Sequence, residues 1–219
     1  MAKKALIVWG GWDGHSPKQC AEVFENMLKG EGFDVEVSET LDSFTDGKLA
    51  DLSLIVPSWT MGTMTGEQSQ AVTKAVRENG VGMAGIHGGM CDAFRADTEW
   101  QFMTGGQWVA HPGNKIKYQV KVGPERSSIT EGIKDWGVES EQYYLHVDPA
   151  VKVLASCTFP TPGGDGPHVP NGSFQMPVVW TKMYGKGKVF YSSLGHEIET
   201  VTAEPHMTVL KRGFLWAAK

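Results

Sequence analysis

Apolar and polar positions along the first hundred residues switch between two periods. Ala5-Leu-Ile-Val-Trp9 is a continuous apolar run closed by Gly10-Gly11, the pattern of a strand buried on both faces in a parallel sheet. After Pro17, residues Cys20, Val23, Phe24, Met27 and Leu28 recur at helical spacing until Gly30. This spacing predicts a crossover helix over Pro17–Lys29, with proline tolerated in its first turn. Phe33–Val37 and Leu52–Pro57 read as the next two strands, and Thr65 with Gln68 forms a capping box for a helix ending at Asn79-Gly80. Val81–Ile86 is a fourth apolar strand that runs without a spacer into His87-Gly-Gly. Alternation of this kind predicts an α/β fold with a doubly wound, mostly parallel sheet, in which Ala5–Trp9 and Val81–Ile86 are central strands. Ligands on such sheets bind beyond the carboxyl ends of the strands.

The second half changes period. Strand-like runs at Lys115–Val122, Val151–Thr158, Met176–Lys182 and Lys188–Ser193 have few helical patterns between them, so antiparallel additions to the sheet are expected. Tyr184-Gly-Lys-Gly187 reads as a hairpin connection, the Gly105-Gly-Gln-Trp108 stretch as a loop, and Pro- and Gly-rich Phe159–Asn171 as a mobile surface loop. Pro205–Ala218 closes the chain as an amphipathic helix with Met207, Leu210, Phe214 and Leu215 facing inward. With neither a repeat nor a linker, the 219 residues are expected to fold as one domain, 1–219.

Composition narrows the class of partner. Apolar residues at 41% and charged residues at 21% are those of a globular chain. A net charge of −5 without a dense Lys/Arg run offers no footprint for a phosphate backbone. No apolar run approaches a membrane span, and the residues after Met1 are too short a run for a signal-peptide core. Cys20, Cys91 and Cys157 are odd in number and far apart, which fits a reducing compartment. A cytoplasmic protein acting on a small molecule, with neither nucleic acid nor membrane as partner, is expected; a homo-oligomer stays open.

The elbow at Gly85-Ile-His87-Gly-Gly89 carries the chemistry most directly. It has the spacing of the Gly-x-nucleophile-x-Gly turn, in which a strained residue projects from the top of a sheet. Imidazole does not form a stable acyl intermediate as serine or cysteine does, so His87 suits metal ligation or general acid/base work. His15, His111 and His196 lie at other strand ends or loops and can converge on His87. His15, His87, His111 and His196 are therefore the candidate metal ligands, for zinc or another divalent transition metal. Glu141, in the Glu139-Ser-Glu-Gln-Tyr143 cluster, is a candidate base or ligand; His146, His168 and His206 read as structural.

These motifs together resemble the ThuA-like (trehalose utilisation) family of the class I glutamine amidotransferase-like superfamily. The likeness runs through Gly14-His-Ser16, Gly85-Ile-His-Gly-Gly89, Gly105-Gly-Gln-Trp-Val-Ala-His-Pro112, Glu141-Gln-Tyr143, Pro177-Val-Val-Trp180, Tyr184-Gly-Lys-Gly-Lys-Val-Phe-Tyr191, Leu194-Gly-His196 and Gly213-Phe-Leu-Trp-Ala217. The resemblance implies a flavodoxin-like sheet and places His196 near the position of the amidotransferase triad histidine. His87 replaces the nucleophilic cysteine, and Glu197 directly follows His196 where a His-x-Glu pair would be needed. Glutaminase activity is thus not expected. The family's association with sugar catabolism implies a keto or hydroxy sugar or glycoside as substrate. A ketone at C3 acidifies the C2 proton, so 3-keto disaccharides could undergo metal-assisted isomerisation, elimination or hydrolysis, with His87, Glu141 and His196 catalytic. The alternative is a non-catalytic amidotransferase-like module that binds sugar or joins a complex.

Overall fold

In a computed structural model that describes residues 2–161 and 166–219, the first apolar run forms β1 (Lys4–Gly11), with Ala5–Val8 buried. It pairs in parallel with β2 (Asp34–Ser38) and β3 (Leu54–Thr60), and β3 pairs in parallel with β4 (Gly82–Ile86). The helices α1 (Pro17–Gly30) and α2 (Gly66–Asn79) supply crossovers. The capping box at α2 is reciprocal: Gln68 N–H donates to the Thr65 hydroxyl, and Thr65 N–H donates to Gln68 Oε1.

After β4 come α3 (His87–Cys91), α4 (Thr98–Thr104), β5 (Gly106–Ala110), β6 (Lys115–Val122), β7 (Trp136–Glu141) and β8 (Tyr144–Val147). The chain then continues through β9 (Lys152–Phe159), β10 (Phe174–Tyr184), β11 (Gly187–Ser192), α5 (Ile198–Thr202) and α6 (His206–Ala217). The main sheet has the order β2-β1-β3-β4-β11-β10-β9-β6-β7. β11 joins β4 in parallel and β10 antiparallel, so a parallel half passes into an antiparallel half at β11. The fold is a mostly parallel α/β sheet with antiparallel additions in its C-terminal half, and neither Ala5–Trp9 nor Val81–Ile86 lies at an edge.

Four details differ from the sequence expectation. Gly106–Ala110, read as part of a loop, is β5, which pairs with β8 in a separate two-stranded sheet. The mixed Trp136–Glu141 run is a strand because it pairs with β6 along its length, a tertiary partner that overrides weak local pattern. The inward face of α6 carries Val209, Leu210, Phe214 and Ala217, while Met207 and Leu215 are only half-buried. The face is rotated because Gly213 lets the Phe190 ring pack directly against the helix. Of the Phe159–Asn171 loop, residues 162–165 lie outside the described residues, and Val169–Asn171 is a 3-10 turn.

One feature of the antiparallel half positions the site. β6 pairs with β9 only through Val120–Val122, whereas residues 115–119 pair only with β7. The β6–β7 pair is therefore an arm that leaves the sheet, with Glu141 at the tip. Among the described residues no helix is long and apolar enough to cross a membrane.

His206 braces the end of β11 from below the site. Its Nδ1–H donates to the Thr200 carbonyl, and its Nε2 accepts from the Ser192 hydroxyl, at 2.8 and 2.9 Å. Burial pushes this imidazole down to about 4. The unfolded chain, with histidine near 6.5, therefore binds a proton that the folded chain refuses between these two values. His206 contributes its full stabilisation above about pH 6.5 and loses it as pH falls toward 4, a change on the order of 3 kcal/mol. Urea midpoints measured from pH 7 to 4 should fall, and a His206→Gln variant, less stable at pH 7, should show a visibly shallower fall.

Candidate functional site

Loops at the carboxyl ends of the parallel strands bring His15, His87 and His196 together, and the β6–β7 arm brings Glu141 to them. One ligand atom from each of the four lies within 4.8 Å of the other three. His15, His87 and Glu141 are buried and His196 is nearly so.

Each side chain is held by a distinct device. His87 occupies the elbow at φ 44°, a left-handed conformation unusual for a side chain of this size. Its carbonyl accepts a hydrogen bond from the Tyr191 hydroxyl at 3.0 Å, and its Nδ1–H donates to the Ser193 carbonyl at 2.7 Å. The second nitrogen, Nε2, then presents a lone pair, and it lies 3.1 Å from Glu141 Oε2. His15 ends a 3-10 turn after β1, with Nδ1 3.0 Å from the Thr60 hydroxyl and Nε2 3.9 Å from Glu141 Oε2. Its ring fits because residue 88 has no side chain: a Cβ there would sit 2.4 Å from the imidazole. His196 follows Gly195, whose φ of 128° suits glycine alone. His196 Nδ1 lies 3.3 Å from Glu141 Oε2, yet it is buried and makes no aligned hydrogen bond among the described residues.

Glu141 is the charge that organises the group. Burial alone would raise its pKa, but the facing imidazoles of His15, His196 and His87 outweigh burial and hold the carboxyl well below the usual carboxylate range. Burial pushes His87 down to about 4 against the pull of Glu141. With its Nδ1–H committed to the Ser193 carbonyl, a neutral His87 turns its Nε2 lone pair toward the Glu141 carboxylate. A cation at this point would relieve the repulsion.

The structure separates the sequence candidates. His111, expected among the inner imidazoles, stands apart from the four-residue group: β5 ends at Ala110, leaving the His111 side chain 30% exposed at the mouth, with Nε2 3.7 Å from the other oxygen, Oε1. Glu141 takes its place in the cluster. His146 lies on β8 and His168 packs against Phe159, both outside the cluster.

Two further groups belong here. Tyr143 stacks on His87 with ring centroids 4.0 Å apart and is buried. Alternation along an extended segment was its signal, since Glu141 and Tyr143 are two apart and share a side, whereas Gln142 points away to Cys157 and Thr158. Thr60, at the carboxyl end of β3, orients His15, and only its position in the fold discloses this. At the mouth, Trp12 is 46% exposed and edge-on to His15, and Trp108 carries the Arg95 guanidinium over its ring while Asp92 neutralises it. A separate groove of about 570 Å³, lined by Lys117, Gln119, Gly137, Glu139 and Thr158, lies on the arm's outer face and touches none of the four.

The ThuA family, described as "Trehalose utilisation", matches residues 4–217. The chain belongs to the ThuA family. Its fold is similar to a ThuA-like protein from Parabacteroides merdae, with 17% identity and a TM-score of 0.79 over 100% of this chain and 91% of that one. A ThuA-like protein from Bacteroides uniformis is similar at 19% identity and a TM-score of 0.78, over 98% and 91% of the two chains. The glutaminase domain of a Trypanosoma brucei CTPS aligns at 11% identity and a TM-score of 0.57, over 99% and 93%, which extends the ThuA fold to the glutamine amidotransferases. No curated protein matches the sequence of this chain significantly.

Because Gly88 is where the His15 ring passes, a Gly88→Ala change should misplace His15 and destabilise the chain by about 1–3 kcal/mol. Gly30→Ala at the end of α1, where a Cβ meets nothing within 4 Å, should be neutral or stabilise by up to about 1 kcal/mol. Urea denaturation of the two variants side by side checks both signs.

Proposed function

We propose that this ThuA-family chain is a metal-assisted enzyme of sugar catabolism, acting on keto or hydroxy sugars or glycosides, and that His15, His87, His196 and Glu141 hold one divalent transition metal. The observation that carries this reading is the unshared electron pairs that meet at one point. His87 Nε2 faces Glu141 Oε2 with its Nδ1 already committed to Ser193, and His196 Nδ1 is buried without a hydrogen bond. Three imidazoles and a carboxylate suit zinc or a similar ion rather than calcium or magnesium, which prefer oxygen. Ligands about 2.0 to 2.1 Å from a tetrahedral zinc lie about 3.4 Å apart, so the widest separations in the cluster, which reach up to 4.8 Å, must close by roughly 1 Å or a little more as the side chains move onto the ion.

The residues then divide the work. The Ser193 carbonyl fixes the tautomer and ring plane of His87, and the Thr60 hydroxyl holds the ring plane of His15, as partners behind metal-bound histidines do. Glu141 is buried and enclosed by three imidazoles, which favours it as a ligand over the base role. His111, part-exposed beside Glu141 Oε1, is the group placed to take or return a proton at the mouth. Tyr143, whose burial pushes its phenol well above the usual value, stays neutral and offers a hydroxyl donor. Trp12 and Trp108 supply aromatic surface for the apolar faces of a sugar. A bound divalent ion would polarise a carbonyl or hydroxyl oxygen, easing loss of the proton on the adjacent carbon. Isomerisation, elimination and hydrolysis of 3-keto glycosides all begin from that step or a related one.

Metal analysis of protein purified without chelator should find about one ion per chain. Calorimetric zinc titration of the stripped protein should show Glu141→Gln and His87→Ala binding far more weakly. Thr60→Val should lose about 10- to 100-fold in affinity, since it removes only the orienting partner of His15. Turnover of a 3-keto glycoside that survives chelator would remove the metal from the reaction, and absence of both metal and turnover would leave a sugar-binding or complex-forming module.

A further inference from the structure

We infer that Lys115 and Glu197 form a positioning pair that holds the Glu141 arm against the histidines, an inference that rests on the metal-centre reading above. Lys115 opens β6 and is the backbone partner of Glu141 across the β6–β7 ladder. Glu197 directly follows His196. The Lys115 ammonium reaches both Glu197 carboxylate oxygens, at 2.6 and 2.7 Å. This contact joins two segments that no strand pairing connects, because β10, β9 and β6 stand between β11 and β7 in the sheet.

The arm needs such a tie. Its outer half, residues 115–119 with 137–141, forms its ladder internally; the ladder meets β9 only beyond residue 119, and the Gln142 side chain ties the tip to β9 through Cys157 and Thr158, not to the histidine-bearing loops. The hydrogen bond from the Tyr118 hydroxyl to the Glu141 carbonyl stiffens the arm from within and does not fix it to the histidines. On the opposite side, the His196 segment is shaped by Gly195, where a Cβ would stand 2.6 Å from Ile86 Cδ1. Its other end is Glu197, whose carbonyl accepts the first turn of α5. The ion pair thus connects the residue after one ligand to the residue opposite another, and sets the gap between His196 Nδ1 and Glu141 Oε2. Both side chains are 41% exposed, so the effect is modest and sensitive to salt. Exposed pairs of this kind correspond to about a two- to fivefold change in an equilibrium.

The test is zinc affinity, by chelator competition, of wild type, Lys115→Met, Glu197→Gln, the double variant and the charge swap Lys115→Glu with Glu197→Lys. Each single variant should bind zinc about two- to fivefold more weakly at low salt. The double variant should be no worse than the singles, the swap should recover affinity, and high salt should erase the differences. Hydrogen exchange of amides 115–119 and 137–141 gives a readout independent of metal: it should quicken in both singles and slow again in the swap. Wild-type zinc binding with unchanged affinity and exchange in the singles overturns the pair and leaves the centre standing. No zinc binding by wild type overturns the centre, and exchange then decides the pair alone, unchanged protection counting against it.

Discussion

A carboxylate buried among three imidazoles is the constraint around which the site is arranged. Taking an ionised carboxyl out of water costs several kcal/mol unless partners surround it; around Glu141 stand His15, His87 and His196, with the Nε2 lone pair of a neutral His87 turned toward it. Each partner arrives from a different strand end, so four separate segments must be placed to within about an ångström of one another. The supporting details follow from this demand: the missing side chain at residue 88, the Thr60 hydroxyl behind His15, and the Ser193 carbonyl behind His87.

The elbow shows how a shared fold is turned to different chemistry. A strand that passes directly into a helix must place one residue in a strained conformation at the top of the sheet, and the sheet below holds it there. With His87 in that place, the exposed group is a ligand whose lone pair points along a fixed direction. Its ring is pinned by Ser193 on one side and by the Tyr143 stack on its face. Tyr191, whose hydroxyl bonds the His87 carbonyl, ties the strained residue to β11.

The two halves of the sheet divide the labour. The parallel strands supply the three inner histidines, all at carboxyl ends, as the geometry of doubly wound sheets requires. Glu141, Tyr143 and His111 come from the antiparallel half and the small β5–β8 sheet. Adjacent strands rotate by roughly 20 to 25° each, so four steps from β11 turn β7 by about a right angle. An edge strand can thereby reach over the ends of central ones, and α5 packs against it there.

Local pattern alone determined the parallel half. Uninterrupted apolar runs, helical spacing and a reciprocal capping box are interactions within a few residues, so β1, α1, α2 and β4 are legible within a residue or two, and the elbow with them. The family motifs likewise marked His15, His87, Glu141, His111 and His196. Tertiary structure decided which of these meet. Nothing in residues 136–141 distinguishes a site-bearing strand from a surface one, because β7 exists through its pairing with β6, and Glu141 is buried only through its approach to residues 54 to 126 positions away in the chain. His111 and His196 have similar local sequence, a small residue before a histidine. One is left at the mouth because β5 stops at Ala110, and the other is carried inward because Gly195 can adopt a turn closed to any side chain.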